Sequence, residues 1–430
     1  MLNLLLIFIG KLVACISRVL NRGNGSTWPG HIALSIKQTF LHDLMGKNPR
    51  LKVVFIVGTN GKTTTGRMIT TILEKNGKSV FQNTSGANLL NGIASSFIYH
   101  ANAFGKIREE FAVFEVDENI LPLAIKQITP FAVVGLNLFR DQLDRYGELD
   151  SIAKKWKSAL QTLPESSKVI LNADDPQVAF LGDSLISNVL YFGMEDKEQL
   201  QKVMQHAADS MYCPRCSHKL VFEGTYFSHL GVWKCTSCGL KRPSPQIKKI
   251  ISPLPGIYNR YNVAAATTFA KAIGIDQTDA EKSLEDLTPA FGRQEKIIYH
   301  GKHLQLFLAK NPTSFNQSIR TVVEMGGKHL LFALNDRIPD GRDISWIWDM
   351  DIEPFIGGLE NIIVSGDRAY DMALRMQYAE AGKKLVVSAV LSEAIHTAVE
   401  KLDQDETLYI LPTYSAMLET RKILTGKKIL

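Results

Sequence analysis

The stretch that most limits what this chain can fold into is residues 53–65, Val53-Val54-Phe55-Ile56-Val57-Gly58-Thr59-Asn60-Gly61-Lys62-Thr63-Thr64-Thr65. A β-branched apolar run from Val53 to Val57 stops at Gly58. It crosses a polar turn and opens at Thr63 into a pattern that suits a helix over 63–73. A buried strand, a glycine turn and a helix N-terminus in that order make a phosphate cradle, because backbone N–H groups and the positive helix end face one point. Lys62 is placed to reach a β- or γ-phosphate, and the Thr63 hydroxyl to reach Mg²⁺. The usual pattern has a glycine five residues before Gly61, where this chain has Ile56. Gly58 stands three before it instead. A strand–turn–helix without a ligand leaves Gly61-Lys62-Thr63-Thr64 unexplained.

The rest of the chain has room for two or three domains, at 430 residues with 45% apolar and 21% charged side chains. The net charge of +6 is small for this length. It leans toward an anionic partner without implying nucleic acid. Four of the five cysteines fall in two pairs, Cys213-x-x-Cys216 and Cys235-x-x-Cys238, with 18 residues between them. That spacing predicts a zinc ribbon over about 211–242 and a reducing compartment. Four thiolates fill the shell of a zinc ion, so the expected role is structural. Phe222, Tyr226, Phe227 and Trp233 suit a small hairpin between the pairs. Arg215, Lys219, Lys234, Lys241 and Arg242 permit nucleic-acid binding, but a brace for the fold is the favoured reading.

At the N-terminus, Leu2 to Ile9 is apolar, and Lys11 and Arg18 interrupt its continuation. No positive charge precedes the run and no small-residue cleavage site comes after it, unlike a signal peptide. The unbroken apolar length is too short to span a bilayer. Residues 2–20 are expected to form an amphipathic helix that docks on the body of the protein or, as the less favoured reading, on a membrane surface. A turn-rich linker over 21–30 and a helix over 31–44 come next.

Downstream, strands are expected at 79–81, 111–116, 131–136 and 169–171. The polar loop Asn83 to Asn91 comes after the first of these and falls on the ligand side of a parallel sheet. Glu115, Asp117 and Glu118 end the second. A carboxylate there, beside a phosphate loop, is placed to hold Mg²⁺, and Glu115 is the choice. Asp117 and Glu118 read as helix caps. Past residue 296, strands at 304–308, 329–334, 361–364, 384–387 and 407–411 alternate with helices such as 369–380 and 392–402, which predicts a second α/β sheet.

The shortened loop, Gly58 to Thr64, resembles the ATP loop of the Mur ligase and folylpolyglutamate synthase superfamily. Further motifs appear in that superfamily's order. Glu115 resembles its metal-binding glutamate. Asn137 to Gly147 is similar to an Asn-x-x-x-Asp-His-Leu-Asp stretch, with Gln142 in place of histidine. Lys154 and Lys155 lie near a lysine that some members carbamylate, although a solvated lysine face is the favoured reading. Asn172-Ala173-Asp174-Asp175-Pro176 matches a further signature. Residues 254–266 resemble a Gly-x-His-Asn-x-x-Asn-x-x-Ala-Ala motif with Tyr258 replacing histidine. This implies that Asn259 reads the adenine edge and that Asn262 packs the turn. Gly292-Arg293-Gln294-Glu295 matches Gly-Arg-x-Glu, with Arg293 closing on phosphate. Ala309-Lys310-Asn311-Pro312 stands where relatives have Ala-His-x-Pro, and Phe307 where they carry a ribose-binding aspartate. The resemblance implies an N-terminal helix and linker over 1–45, a central P-loop ATPase domain over 46–295 with the ribbon inserted, and a C-terminal Rossmann-like α/β domain over 296–430.

Two features narrow the resemblance. The phosphate loop begins near residue 58, leaving no room for the superfamily's N-terminal UDP-binding domain, and the ribbon is inserted. With Asp340-Gly341-Arg342-Asp343-Ile344-Ser345-Trp346-Ile347-Trp348-Asp349, the chain resembles the MurT-type synthetase subunits of lipid II isoglutaminyl synthase. That implies ATP-dependent amidation of the α-carboxyl of D-glutamate in the lipid II stem peptide through an acyl phosphate. Ammonia would come from a GatD-like glutamine amidotransferase partner in a heterodimer. Lys62, Mg²⁺ and Arg293 would neutralise charge during phosphoryl transfer. Asp343, with Asp349 as second choice, would orient the histidine of the partner's Cys-His pair. The implied place is the cytoplasm, at the inner face of the membrane, with ATP, Mg²⁺ and structural Zn²⁺ as cofactors. Two alternatives remain: a related ligase joining an amino acid, as in folylpolyglutamate synthesis, and a non-enzymatic ATP-gated binding module.

Overall fold

The computed structural model describes residues 2–19, 26–83, 86–140, 149–206, 208–289 and 292–426. Residues 21–25 of the expected linker, Thr84 and Ser85 of the polar loop, Gln142 with the rest of 141–147, and Phe291 lie outside the described residues.

The first sheet has six parallel strands: β1 Lys52–Val57, β2 Val80–Gln82, β3 Phe111–Glu115, β4 Ala132–Gly135, β5 Lys168–Asn172 and β6 Asn188–Phe192. Their order is β2-β3-β1-β4-β5-β6. Strand β1 is central and buried on both faces. Val53, Phe55 and Val57 enter one apolar layer, and Val54 and Ile56 the other. This is why β1 reads as an unbroken apolar run rather than an alternation. The chain leaves β3 on one side of β1 and enters β4 on the other. The carboxyl end of β1 is therefore the crevice where open α/β sheets bind ligands.

A hairpin, β7 Val221–Phe227 with β8 Leu230–Lys234, forms the body of the ribbon. The second six-stranded sheet contains β9 Arg293–Tyr299, β10 Lys302–Phe307, β11 His329–Ala333, β12 Asn361–Ser365, β13 Leu385–Val387 and β14 Thr407–Pro412. Its order is β13-β12-β11-β14-β10-β9, with β9 antiparallel at the edge. Strands β6 and β9 have no counterpart among the expected strands. Both are edge strands with half-buried faces; Arg293, Glu295 and Lys296 interrupt β9, whereas β6 carries only the short apolar run Val189 to Phe192.

The single helix expected over 31–44 is instead two, Trp28–Ile36 and Phe40–Lys47. The break falls at Lys37, which is extended (φ −142°, ψ 99°). Its Nζ donates to Asn3 Oδ1 at 2.9 Å and pairs with Asp43, so contacts across the fold override the local pattern.

The N-terminal helix, Leu2–Val19, docks on the body. Leu6, Ile7 and Ala14 are buried, and Gly10 packs against Ile98 and Pro29. Leu2, Leu5, Phe8, Leu12 and Ile16 remain exposed on the other side. Among the described residues no helix is long and apolar enough to cross a membrane.

Candidate active site

The polar turn after β1 runs into the helix Lys62–Lys75. Gly58 (φ +148°) and Gly61 (φ +91°) both take backbone angles that side-chain-bearing residues avoid. A Cβ on Gly61 would lie 2.3 Å from Asn262 Oδ1, so the loop also needs glycine for close approach. Asn137, at the end of β4, pins the turn. Its Oδ1 accepts from Asn60 N at 2.8 Å, and its Nδ2 donates to Asn60 O at 3.0 Å. The Thr59 hydroxyl donates to Phe139 O and accepts from Phe139 N at 3.0 Å.

Lys62 is buried at the first turn of the helix, where its Nζ donates to Gly58 O and stands 3.0 Å from Glu118 Oε1. By its place in the sequence Glu118 reads as no more than a helix cap. It is instead the counter-ion of the phosphate-loop lysine, a role hidden because the two are 56 residues apart. Trp156 Nε1 fixes the same turn by donating to Glu118 O at 2.7 Å. Asp117 does act locally, accepting from Asn119 N at 3.1 Å.

Thr63 and Glu115 meet: the hydroxyl donates to Glu115 Oε2 at 2.8 Å. Adjacent oxygen ligands in an Mg²⁺ octahedron stand about 2.9 Å apart, so this pair fits such an ion. Burial pushes the Glu115 carboxyl above its ordinary range, against the Thr63 hydrogen bond and the charges of Arg293 and Lys62. A buried carboxylate under that penalty favours a cation beside it.

A cavity of about 100 Å³ opens from the loop and is closed on its far side by the second sheet. Asn60, Gly61, Tyr258, Asn259, Arg293 and Phe307 line it. Arg293 begins β9, and burial lowers its pKa against the pull of Glu115. Among the described residues, no side chain accepts a hydrogen bond from its guanidinium. Asn259 Nδ2 donates to Pro255 O at 2.7 Å, and Asn259 Oδ1 accepts from Asn262 Nδ2 at 3.2 Å. Asn262 Oδ1 accepts from the Thr65 hydroxyl at 3.2 Å, which ties the helix Ile257–Ala272 to the phosphate-loop helix. Tyr258, in the place of the family histidine, receives a hydrogen bond from Gln294 Nε2 at 2.5 Å, and burial pushes its phenol up to about 12. From the second sheet, Asn311 reaches Asn60 Oδ1 at 3.4 Å.

The four ribbon cysteines converge. Cys213 and Cys238 sulfurs stand 3.6 Å apart, Cys216 and Cys235 sulfurs 3.5 Å, and all four lie within 4.8 Å. Thiolates about 2.3 Å from one tetrahedral ion would stand about 3.8 Å apart, so the set fits zinc. The ribbon is bolted to the signature after β5. Trp233 Nε1 donates to Ala173 O at 3.1 Å, and Arg242 Nε to Asp174 Oδ1 at 2.6 Å. Asp174, fully buried, also accepts from Tyr261 OH at 2.5 Å and Met194 N at 2.9 Å. Lys154 and Lys155 are exposed, as a solvated face requires.

Arg242→Met would leave the Asp174 carboxylate buried without its cation, a loss of about 3–5 kcal/mol in denaturant unfolding at neutral pH. Burial already raises the folded pKa of Asp174, and removing Arg242 raises it further. A raised acid contributes stability below its unfolded pKa and loses it as pH rises through the folded value. The deficit of the variant should therefore shrink in mildly acidic buffer. A deficit independent of pH would show that Arg242 acts through packing.

In the aspartate-rich stretch, Asp340 is buried and accepts from Ser415 N at 2.7 Å and the Ser415 hydroxyl at 2.5 Å. Asp349 pairs with Arg140 of the first domain at 3.4 Å. Asp343 is exposed and accepts only from Ser345 N, at 2.8 Å, among the described residues. Trp346 packs on Phe315 with centroids 5.1 Å apart, whereas Trp348 packs on Tyr378 and stays half exposed.

The model of the Mur ligase middle domain matches residues 56–270, and that of the MurT ligase C-terminal region residues 308–417. The chain is 31% identical over 432 residues to the MurT subunit of lipid II isoglutaminyl synthase (glutamine-hydrolyzing) of Staphylococcus aureus, covering 96% of this chain and 95% of that one. It belongs to the MurT family of Mur ligases. The corresponding subunit of Streptococcus pneumoniae is also 31% identical, with the same coverage. Among solved structures, a pseudomurein peptide ligase type C from Methanothermus fervidus superposes with a TM-score of 0.66 at 23% identity, covering 88% of this chain and 79% of that one. Folylpolyglutamate synthase of Mycobacterium tuberculosis, complexed with ADP and AMPPCP, superposes at 0.59 and 16% identity, covering 90% and 95%. These likenesses show the Mur ligase fold.

Proposed function

We propose that the chain is the ATP-using subunit of a lipid II isoglutaminyl synthase, amidating the α-carboxyl of D-glutamate in the stem peptide during peptidoglycan synthesis. The observation that carries this reading is 31% identity to a MurT subunit across 96% of a chain that brings Lys62 and Thr63 of the loop and Glu115 of β3 into one site. In it, backbone groups of residues 58–64 cradle the ATP phosphates and Asn259 faces the adenine. Thr63 and Glu115 would hold Mg²⁺, which would supply charge neutralisation at the phosphates. A carboxylate oxygen of the substrate attacks the γ-phosphorus and ADP leaves. Ammonia then attacks the acyl carbon, phosphate leaves, and a proton is lost to solvent. Lys62 and Arg293, whose charges both bear on Glu115, bring positive charge to the transferring group. A glutamine-hydrolysing partner of the GatD kind supplies the ammonia, and the reaction runs on the cytoplasmic face of the membrane. The ribbon is a structural zinc brace.

Purified chain given lipid II, ATP and an ammonium salt should release ADP and the amidated product in equal amounts. No ADP release would overturn the reading. An amino acid replacing ammonia as the better acceptor would favour a folylpolyglutamate-synthase-like ligase, whose fold the chain shares. Metal analysis should find about one zinc per chain, and none would reject the brace.

A further inference from the structure

The exposed face of the N-terminal helix is not explained by the ATP site. Leu2, Leu5, Phe8, Leu12 and Ile16 succeed one another at intervals of three and four residues, which places them in a single line about 21 Å long. Their exposure runs from 45% at Leu2 to 66% at Phe8. The opposite face of the helix is already buried on the body, so this is a second apolar face. Trp28, 61% exposed, begins the neighbouring helix, whose Pro29 packs on Gly10. The turn at Gly105 packs on Leu4 and Ile7 and brings the exposed Phe104 beside the same helix. The sequence here is basic. Residues 1–42 contain Lys11, Arg18, Arg22 and Lys37 and no Asp or Glu, and Asp43, the next residue, pairs with Lys37. They account for four of the six net positive charges of the chain.

We propose that this face is a docking surface for an anionic lipid bilayer, with the helix lying flat in the headgroup region. An apolar ridge on a segment of basic sequence, with an exposed tryptophan on the neighbouring helix, is what such a surface requires. A second copy of the chain fits less well. A two-fold contact would set each patch against its own image, bringing like charges together. The inference stands without the amidation reading, and its test leaves lipid II out.

The full chain should float with vesicles of equal parts phosphatidylglycerol and phosphatidylcholine, and bind less to phosphatidylcholine alone. Phe8→Glu combined with Leu12→Glu should lower the bound fraction about tenfold. Both side chains are at least half exposed, so the variant should keep the far-UV circular dichroism and thermal midpoint of the parent. As a second probe, Phe8→Trp should show blue-shifted fluorescence on adding the anionic vesicles. The proposal is overturned if the parent chain stays with the protein fraction, or if the double variant floats as well as the parent. It is also overturned if light scattering shows a dimer that the double variant dissolves.

Discussion

Lys62→Ala is expected to lower ATP-dependent turnover by about two to three orders of magnitude, read as ADP release at saturating lipid II and ammonium. The lysine ammonium is the one charge that the loop itself places at the helix N-terminus, and phosphoryl transfer depends on charge neutralisation more than on covalent help. The same substitution also has a structural cost. Glu118 has a side chain only 7% exposed, and it would lose its counter-ion. An unpaired buried carboxylate costs about 3–5 kcal/mol, enough to unfold part of a sample and imitate a catalytic defect. The pair can be separated. Lys62→Ala with Glu118→Gln removes both charges, so thermal stability should return toward that of the parent while ADP release stays low. If turnover returns with stability, Lys62 serves the fold and the phosphate assignment fails.

That ion pair also marks where the sequence stops being readable. The loop, its strand and its helix were legible because everything that defines them lies within a dozen residues. Cys213, Cys216, Cys235 and Cys238 were legible for a similar reason, since metal ligands keep short, fixed spacings. Glu118 was not. A carboxylate just past a strand is equally consistent with a cap, and its partner lies 56 residues upstream. Strand β9 was missed on physical grounds as well. Arg293, Glu295 and Lys296 interrupt it, and it pairs through one side only, at the sheet edge. Its omission hid the fact that Arg293 is held by the second sheet while facing the loop of the first. The break at Lys37 is the same kind of miss. Asn3 and Asp43 hold it, and no local window contains the first of these. Chain-local chemistry was readable, whereas residues defined by what crosses over to meet them were not.

The second large effect is expected at Asp343. Three aspartates of 340–349 compete for the role of orienting a partner's catalytic histidine, and their surroundings separate them. Asp340 is turned inward, with both carboxylate oxygens taken by Ser415. Asp349 is paired with Arg140, which also binds Asp209. Asp343 is exposed, and its single hydrogen bond among the described residues, from Ser345 N, leaves a carboxylate oxygen to accept from outside. In a catalytic triad, replacing the aspartate by asparagine lowers turnover about ten-thousandfold through the wrong histidine tautomer, with little change in shape. Asp343→Asn, assayed with a GatD-like glutaminase subunit added, should lose glutamine-driven amidation to that order while amidation driven by an ammonium salt persists. Asp349→Asn should instead weaken the contact between the two domains, depressing both reactions together. Loss of both activities in Asp343→Asn would place Asp343 in the ATP-using half, and retention of both would remove it from the triad.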